Sequence, residues 1–311
     1  VNAKPGLISL AHKLQADLRP RAKSLIVTVY GDAIGPHGGT VWLGNLIGLM
    51  EPLGLSERMV RTAVFRLIKD EWLKATPIGR RSTYGLTDIG WRRFEAAYRR
   101  IYAPLDSAWD GDWHLVMILA AGVAGDKREQ LRNELAWQGF GQVGPNLLAH
   151  PNADAAELAA TLDQLEMIEH VVVMKSRHVR SRLGGGALKE LVRESWNLDG
   201  LSQGYEGFIA RFKPLLDRLK AGEEADSVTA FTLRILMLHD FRRVLLRDPM
   251  LPGELLPETW SGTRARQLCK EIYILLHKGA EAHLMGALAT AEGPLPPLHP
   301  SYFLRFGGMK I

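Results

Sequence analysis

Arg58, Arg61, Thr62, Phe65 and Lys69 recur at the three- and four-residue spacing that collects side chains on one side of an α-helix, with Arg66 beside them and Glu57 the single opposing acid. Farther on, Gly79 precedes Arg80 and Arg81 in a stretch, 77–81, whose proline and glycine mark a turn. The chemistry these residues offer is recognition of a polyanion. A guanidinium bonds phosphate oxygens or grips a guanine edge with two hydrogen bonds, an ammonium acts as a point charge, and a hydroxyl serves either target. Arg58, Arg61, Thr62, Arg66, Lys69, Arg80 and Arg81 are therefore the candidate contacts to double-stranded DNA.

To present those groups together, residues 56–69 must be helical. Val60, Ala63, Val64, Leu67 and Ile68 supply the apolar stripe on the opposite side, Ser56 is a capping residue, and Gly54 permits a sharp entry. Upstream, 41–50 has helical apolar spacing and ends at Glu51-Pro52-Leu53-Gly54, so two short helices flank a tight turn. Downstream, 72–76 and 82–86 read as strands of a hairpin tipped by the two arginines. Thr87 caps the next helix, with Asp88 favourable in its first turn. Arginines on an amphipathic helix also suit a merely solvated face. It is the succession of helix, turn, basic helix, strand, arginine tip, strand and capped helix within 42–88 that selects a winged helix-turn-helix.

The chain has 311 residues, 46% of them hydrophobic, enough for two or three domains with cores of their own. Residues 21–102 hold 13 Lys and Arg against 7 Asp and Glu, a net of +6 where the whole chain carries +5, so the basic charge sits on one module as in nucleic-acid binders. Cys269 is the only cysteine, which excludes an intrachain disulfide and suits a reducing cytoplasm. No apolar run approaches the roughly 18 residues of a membrane span, and no basic-then-apolar leader opens the chain, so we expect a soluble cytoplasmic protein without a membrane partner. Phosphate-loop, serine-elbow and zinc-helix motifs are absent, and His239, His277 and His283 form no ligand set; no catalytic residue, metal or cofactor is expected. His37, in the glycine-rich stretch 35–39, is expected to be exposed.

Four segments together resemble one family: Ser24-Leu25-Ile26-Val27-Thr28-Val29-Tyr30-Gly31-Asp32, Gly38-Gly39 with Val41-Trp42-Leu43-Gly44, Arg58-Met59-Val60-Arg61-Thr62-Ala63-Val64-Phe65-Arg66-Leu67, and Gly79-Arg80-Arg81-Ser82 with Tyr84, Leu86 and Thr87. They look like the PaaX family, bacterial repressors of phenylacetic acid catabolism. The resemblance returns in His239-Asp240-Phe241-Arg242-Arg243-Val244-Leu245-Leu246-Arg247-Asp248-Pro249-Met250-Leu251-Pro252 and spans nearly the whole chain. It implies an α+β, multidomain protein: an N-terminal winged helix-turn-helix, a middle ferredoxin-like sandwich and a C-terminal helical domain, with an aryl-CoA thioester as effector.

The residues themselves suggest compatible divisions: an arm at 1–20, the winged domain at 21–104, the middle domain at 110–182, a helical domain at 187–292 and a Pro-rich tail at 293–311. Residues 22–34 read as the first core helix, though their β-branched run also fits a strand. In the middle domain, 114–119, 140–148 and 171–174 read as strands and 127–137 and 154–165 as helices, in the order β-α-β-α-β. Similar sandwiches occur in Cas2-type nucleases, which need a carboxylate at the end of the first strand to hold Mg²⁺. Ala120-Ala121-Gly122 stands there instead, and Asp126 reads as a helix cap.

Lys175, Arg177, His178, Arg180 and Arg182 precede Gly184-Gly185-Gly186, either a flexible connection or a cradle for the phosphates of a CoA moiety. Residues 188–196, 205–219, 229–246 and 263–289 have helical spacing. Arg242, Arg243 and Arg247 crowd the end of the third of these helices, where cations complement the dipole. Trp196, Tyr205, Phe208 and Phe212 suit a core, or walls for an aromatic ligand. Arg177, Arg180, Arg182, Trp196, Arg242 and Arg243 are the effector candidates. Tyr302, Phe303, Leu304 and Phe306 of the tail are expected to dock on a subunit. The reading is a homodimeric repressor that leaves operator DNA on binding phenylacetyl-CoA. Its rivals are a nucleic-acid-processing enzyme built on the middle domain and a ligand-independent DNA-binding adaptor.

Overall fold

The computed structural model describes residues 6–102, 109–119, 122–177, 185–291 and 293–309. They mix helix and strand and fall into two units, one of Val1–Leu105, Tyr205–Leu245 and Thr263–Ile311, the other of Asp106–Gly204 and Leu246–Gly262.

The first unit opens with α1 (Leu7–Leu18) and α2 (Ala22–Val29). Leu25, Ile26 and Val29 are wholly buried, and burial of this face settles the β-branched run as helix against its local preference. The helix widens into a π-helical turn, Tyr30–Ile34, and closes with a 3₁₀ turn, Gly35–His37. Then follow β1 (Thr40–Trp42), α3 (Leu43–Met50), α4 (Glu57–Lys69), β2 (Leu73–Ile78), β3 (Arg81–Leu86) and α5 (Asp88–Tyr102). Residues 41 and 42, expected in the helix, instead pair with β3, Val41 opposite Tyr84 and Trp42 opposite Thr83, and complete an antiparallel sheet of order β1-β3-β2.

The second unit contains β4 (Asp112–Ile118), α6 (Gly125–Trp137), β5 (Gly141–Gly144), β6 (Leu147–His150), α7 (Ala155–Gln164), β7 (Val171–Arg177) and α8 (Gly185–Ser195). The stretch expected as one strand, 140–148, is a hairpin, because Gly144, Pro145 and Asn146 turn the chain back on itself. The order is therefore β-α-β-β-α-β, with an antiparallel sheet β5-β6-β4-β7. Val116, Ile118, Leu131, Leu135, Leu148 and Leu158 form its core with Met167. Asp154 caps α7 by accepting from Ala156 N at 2.9 Å and Glu157 N at 3.2 Å. Asp126 is not a cap as expected: Ala124 holds that position, and the Asp126 carboxylate accepts from Lys127 N within the first turn. Ala120 and Ala121 lie outside the described residues.

The remaining elements are α9 (Leu198–Lys220), α10 (Ser227–Leu245), α11 (Ser261–Ala287), the paired dipeptides β8 (Ala289–Thr290) and β9 (Gly293–Pro294), and a 3₁₀ segment, Pro300–Gly307. α10 is buried on all sides from Thr229 to Phe241 and forms the axis of the first unit, with α1 and α2 packed on it. Tyr205, Phe208 and Phe212 are core residues there. The tail does not wait for another subunit: Tyr302 and Phe306 are buried in its own unit, although Phe303 and Leu304 are exposed.

A cluster of buried charges ties these pieces together. The Asp32 carboxylate accepts from Arg305 Nη1 and Tyr273 OH at 2.8 Å each and from Tyr102 OH at 2.7 Å. Its other oxygen lies 2.9 Å from Arg234 Nε, close enough for an ion pair without hydrogen-bond alignment. Arg234 also donates to Glu281 at 2.8 Å, and His37 reaches the same carboxylate at 3.1 Å. His37, expected to be exposed, is thus buried, held through its other nitrogen by the Pro296 carbonyl at 2.6 Å. Burial disfavours its charge, but Glu281 and that carbonyl outweigh burial and raise its pKa. Burial pulls the Glu281 carboxyl pKa up, but the hydrogen bonds and charges of His37 and Arg234 outweigh it and hold it down at about 2.

Candidate nucleic-acid interface

α4 presents its two sides as the sequence pattern requires. Val60, Ala63, Val64 and Leu67 are buried, Ile68 is half-buried, and Arg58, Arg61, Thr62, Phe65, Arg66 and Lys69 are exposed. Ser56 Oγ accepts from Met59 N at 3.4 Å, and Glu57 in the first turn with Arg66 and Lys69 in the last agree with the helix dipole. The turn from α3 is closed by Gly54 N donating to Glu51 O at 2.8 Å and Leu55 N to Met50 O at 3.2 Å. Gly54 has φ +80°, a backbone conformation that favours glycine, and a β-carbon there would lie 1.8 Å from Gln15 Nε2, so the end of that half-buried side chain would have to swing aside.

Two of the exposed side chains are engaged within the helix. Arg61 pairs with Glu57 at 2.7 Å, and Thr62 donates its hydroxyl proton to Arg58 O at 2.8 Å. A solvent-exposed pair of this kind holds the guanidinium weakly and leaves it free to exchange partners. Beyond α4, β2 and β3 are paired from Leu73–Leu86 to Ile78–Arg81, which leaves Gly79 and Arg80 as a two-residue turn with Gly79 at φ +60°. Arg80 and Arg81 are exposed at this tip. Thr87 Oγ1 caps α5 by accepting from Gly90 N at 2.9 Å, and Lys23 pairs with Asp70 at the end of α4. A helix and a hairpin, each carrying unburied cations, thus belong to one small sheet-and-helix assembly.

The effector candidates occupy separate surroundings. Arg177 and Trp196 line one cavity of ≈ 240 Å³ in the second unit, with Trp113, Leu115, Leu188 and Leu191. The indole of Trp196 donates to Gly139 O at 2.7 Å and lies over Gly141, where a β-carbon would come within 2.5 Å of the ring. Arg177 bonds Asp112 at 2.6 Å, and Lys175 reaches the same carboxylate at 2.8 Å, which lowers the Asp112 pKa. Arg180 and Arg182 lie outside the described residues, as does Gly184. In the first unit, Arg242 donates to Thr28 Oγ1 at 2.7 Å and ties α10 to α2, its pKa lowered by burial. It borders a void of only ≈ 30 Å³, room for a water or two and far too little for an acyl-CoA. Arg243 is exposed, 3.9 Å from Asp240.

A larger groove, ≈ 600 Å³, runs between α5 (Trp91, Phe94, Tyr98) and the proline segment from Pro296 to Pro300. The sequence pattern did not single it out; Trp91, Phe94 and Tyr98 at i, i+3 and i+7 are the trace it leaves. Among the described residues no group of three or more His, Cys, Asp and Glu could hold a metal ion, and no helix is long and apolar enough to cross a membrane.

Comparison with known proteins agrees along the chain. The family model described as PaaX-like protein matches residues 21–90, that of the PaaX protein central Cas2-like domain matches 106–186, and that of the PaaX-like protein C-terminal domain matches 196–286. The transcriptional repressor PaaX of Escherichia coli (strain K12) is 41% identical over 291 residues, 93% of this chain and 90% of that protein. A solved structure, the uncharacterized protein Rv0674 from Mycobacterium tuberculosis, superposes with a TM-score of 0.55 at 24% identity, covering 84% of this chain and 97% of that one, and shares the fold. With three successive domain matches and a relative of this identity aligned over nearly its whole length, the chain belongs to the PaaX family.

Proposed function

We propose that this protein is a transcriptional repressor of a phenylacetate-degradation operon and not an enzyme. The observation that carries the reading is the pairing of an exposed cationic face on α4 with an arginine tip on the β2–β3 hairpin, supported by the identity to a relative named as a transcriptional repressor. On this reading residues 21–104 are a winged helix-turn-helix: α4 enters the major groove with Arg58, Arg61, Thr62, Arg66 and Lys69, and Arg80 and Arg81 form the wing on the adjacent phosphates. Residues 110–182 are a ferredoxin-like domain, in keeping with the order β5-β6-β4-β7, and 187–292 a helical domain. A homodimer with two-fold symmetry reads an inverted repeat with half-sites one helical turn or a multiple apart.

The effector in this reading is phenylacetyl-CoA, which combines an aryl ring with phosphates. It releases DNA only so far as it prefers the arrangement that does not bind DNA, a coupling of roughly 1–3 kcal/mol in typical cases. The test is titration of phenylacetyl-CoA, phenylacetate and free CoA into an operator-binding assay. The thioester alone should lower operator affinity; equal responses to all three, or none to the thioester, refute the effector. Arg243→Ala is the cleaner probe of the arginine cluster, because Arg242→Ala also breaks the contact with Thr28.

A further inference from the structure

Phe65 is 69% exposed in the middle of α4, so its ring forgoes the free energy that burial would give it and is open to an apolar partner. At 3.6 residues per turn it lies at the centre of the exposed side, opposite the buried Ala63 and Leu67. Arg61 and Thr62 stand one turn before it, Lys69 one turn after, and Arg58 two turns before. Three cations around one ring commit the occupant of this face to a polyanion, and an acidic partner alone would leave the ring without a match. Arg61 is already paired with Glu57, and Thr62 has given its proton to Arg58 O, so toward a base it can only accept.

We propose that Phe65 is a specificity-determining residue that packs on the 5-methyl group of a thymine in the major groove. This rests on the DNA-binding reading of α4 and adds to it the base that is read by apolar contact. Duplex DNA is the occupant that offers both phosphates at the groove edges and an apolar group on its floor, the thymine methyl. Double-stranded RNA offers the phosphates but not the apolar group: its major groove is too deep and narrow for side chains to read, and uracil lacks the methyl. Thymine contact also explains why an aromatic residue occupies a position where a purely phosphate-binding helix would carry another polar group.

The test uses the full-length protein and a duplex it selects from a random pool, in which each thymine is replaced singly by deoxyuridine, removing the methyl and leaving base pairing unchanged. Wild-type protein should lose roughly fourfold in affinity at one or two positions, the factor that about 0.8 kcal/mol for one buried methyl-sized group corresponds to. Phe65→Ala should bind the thymine duplex more weakly by a similar factor and show no further loss with deoxyuridine at those positions, while Phe65→Leu keeps part of the preference. The proposal is overturned if no deoxyuridine weakens wild-type binding, or if Phe65→Ala is as sensitive as wild type. It is also overturned if Phe65→Ala alters only the assembly state in sedimentation, which would make the ring a contact between copies. Failure of wild-type protein to select any duplex would instead refute the DNA-binding reading itself.

Discussion

Arg305 and Asp32 meet inside the first unit, Nη1 to Oδ1 at 2.8 Å, with side chains 0% and 1% exposed. The guanidinium lies over the rings of Tyr102 and Tyr302, 4.1 and 4.2 Å from their centroids, and the carboxylate is shared with Arg234. Glu281 completes the charge balance, two cations against two anions, with His37 at its edge. The tail is thereby fastened beneath the π-helical turn through a contact that has no solvent to replace it.

Removing one side of that contact strands the other. Asp32→Asn or Arg305→Met should each destabilise the protein by about 3–5 kcal/mol, the usual cost of leaving a buried charge uncompensated. The double variant should cost less than the sum of the singles, because the two side chains share one interaction. Urea unfolding of the full-length variants measures this; single losses below about 1 kcal/mol would contradict the account.

His239 makes stability fall in mild acid. Burial first, then Arg242 and Arg243, pushes its pKa from 6.5 down to about 4. Between these values the unfolded chain binds a proton that the folded chain refuses, so stability should drop as pH falls from 6.5 to 4, by roughly 3 kcal/mol at most. His37 acts oppositely: its raised pKa makes its contribution complete below 6.5 and lost as pH rises through the folded value. Melting temperature followed against pH should show the acid limb flattened in His239→Gln. An unchanged limb would show that other groups govern it.

Gly54→Ala tests the entry to α4. The left-handed φ costs an alanine about 1–2 kcal/mol, and displacement of Gln15 adds to it. In a Gln15→Ala background the second penalty should vanish and the first remain. Thermal unfolding of the two singles and the double separates them; a fully neutral Gly54→Ala would contradict the turn geometry.

The face of α4 and the arginine tip were legible because their signals are local: a 3.6-residue apolar period, a capping serine, a glycine before two arginines. The buried charge cluster was not, since its members come from distant segments and pairing across 273 residues leaves no periodic trace. Its only signature is an aspartate inside the apolar run 22–34 and an arginine inside the aromatic tail, which flags a buried ion without naming its partner. The burial of His37 is hidden for the same reason, because a glycine-rich loop suggests exposure until Glu281 and Pro296 are brought against it. The β5–β6 hairpin does leave a local signal, since Gly144-Pro145-Asn146 is ordinary turn chemistry. Local spacing reads Trp42 as helical because its pairing with Thr83 lies 41 residues ahead in the sequence and outside any local window.

The salt dependence of duplex binding tests the central claim most directly. Affinity for the selected duplex should fall linearly on a log–log plot as salt rises, and Arg80→Ala/Arg81→Ala should reduce the slope by about 1.8, since each phosphate neutralised contributes roughly 0.9. Affinity for random duplex should weaken alongside, because phosphate contacts carry no sequence information. If the double variant instead matched wild type in slope and in affinity for both duplexes, the hairpin would not be a wing on DNA, and the interface assigned to α4 and Arg80–Arg81 would be wrong.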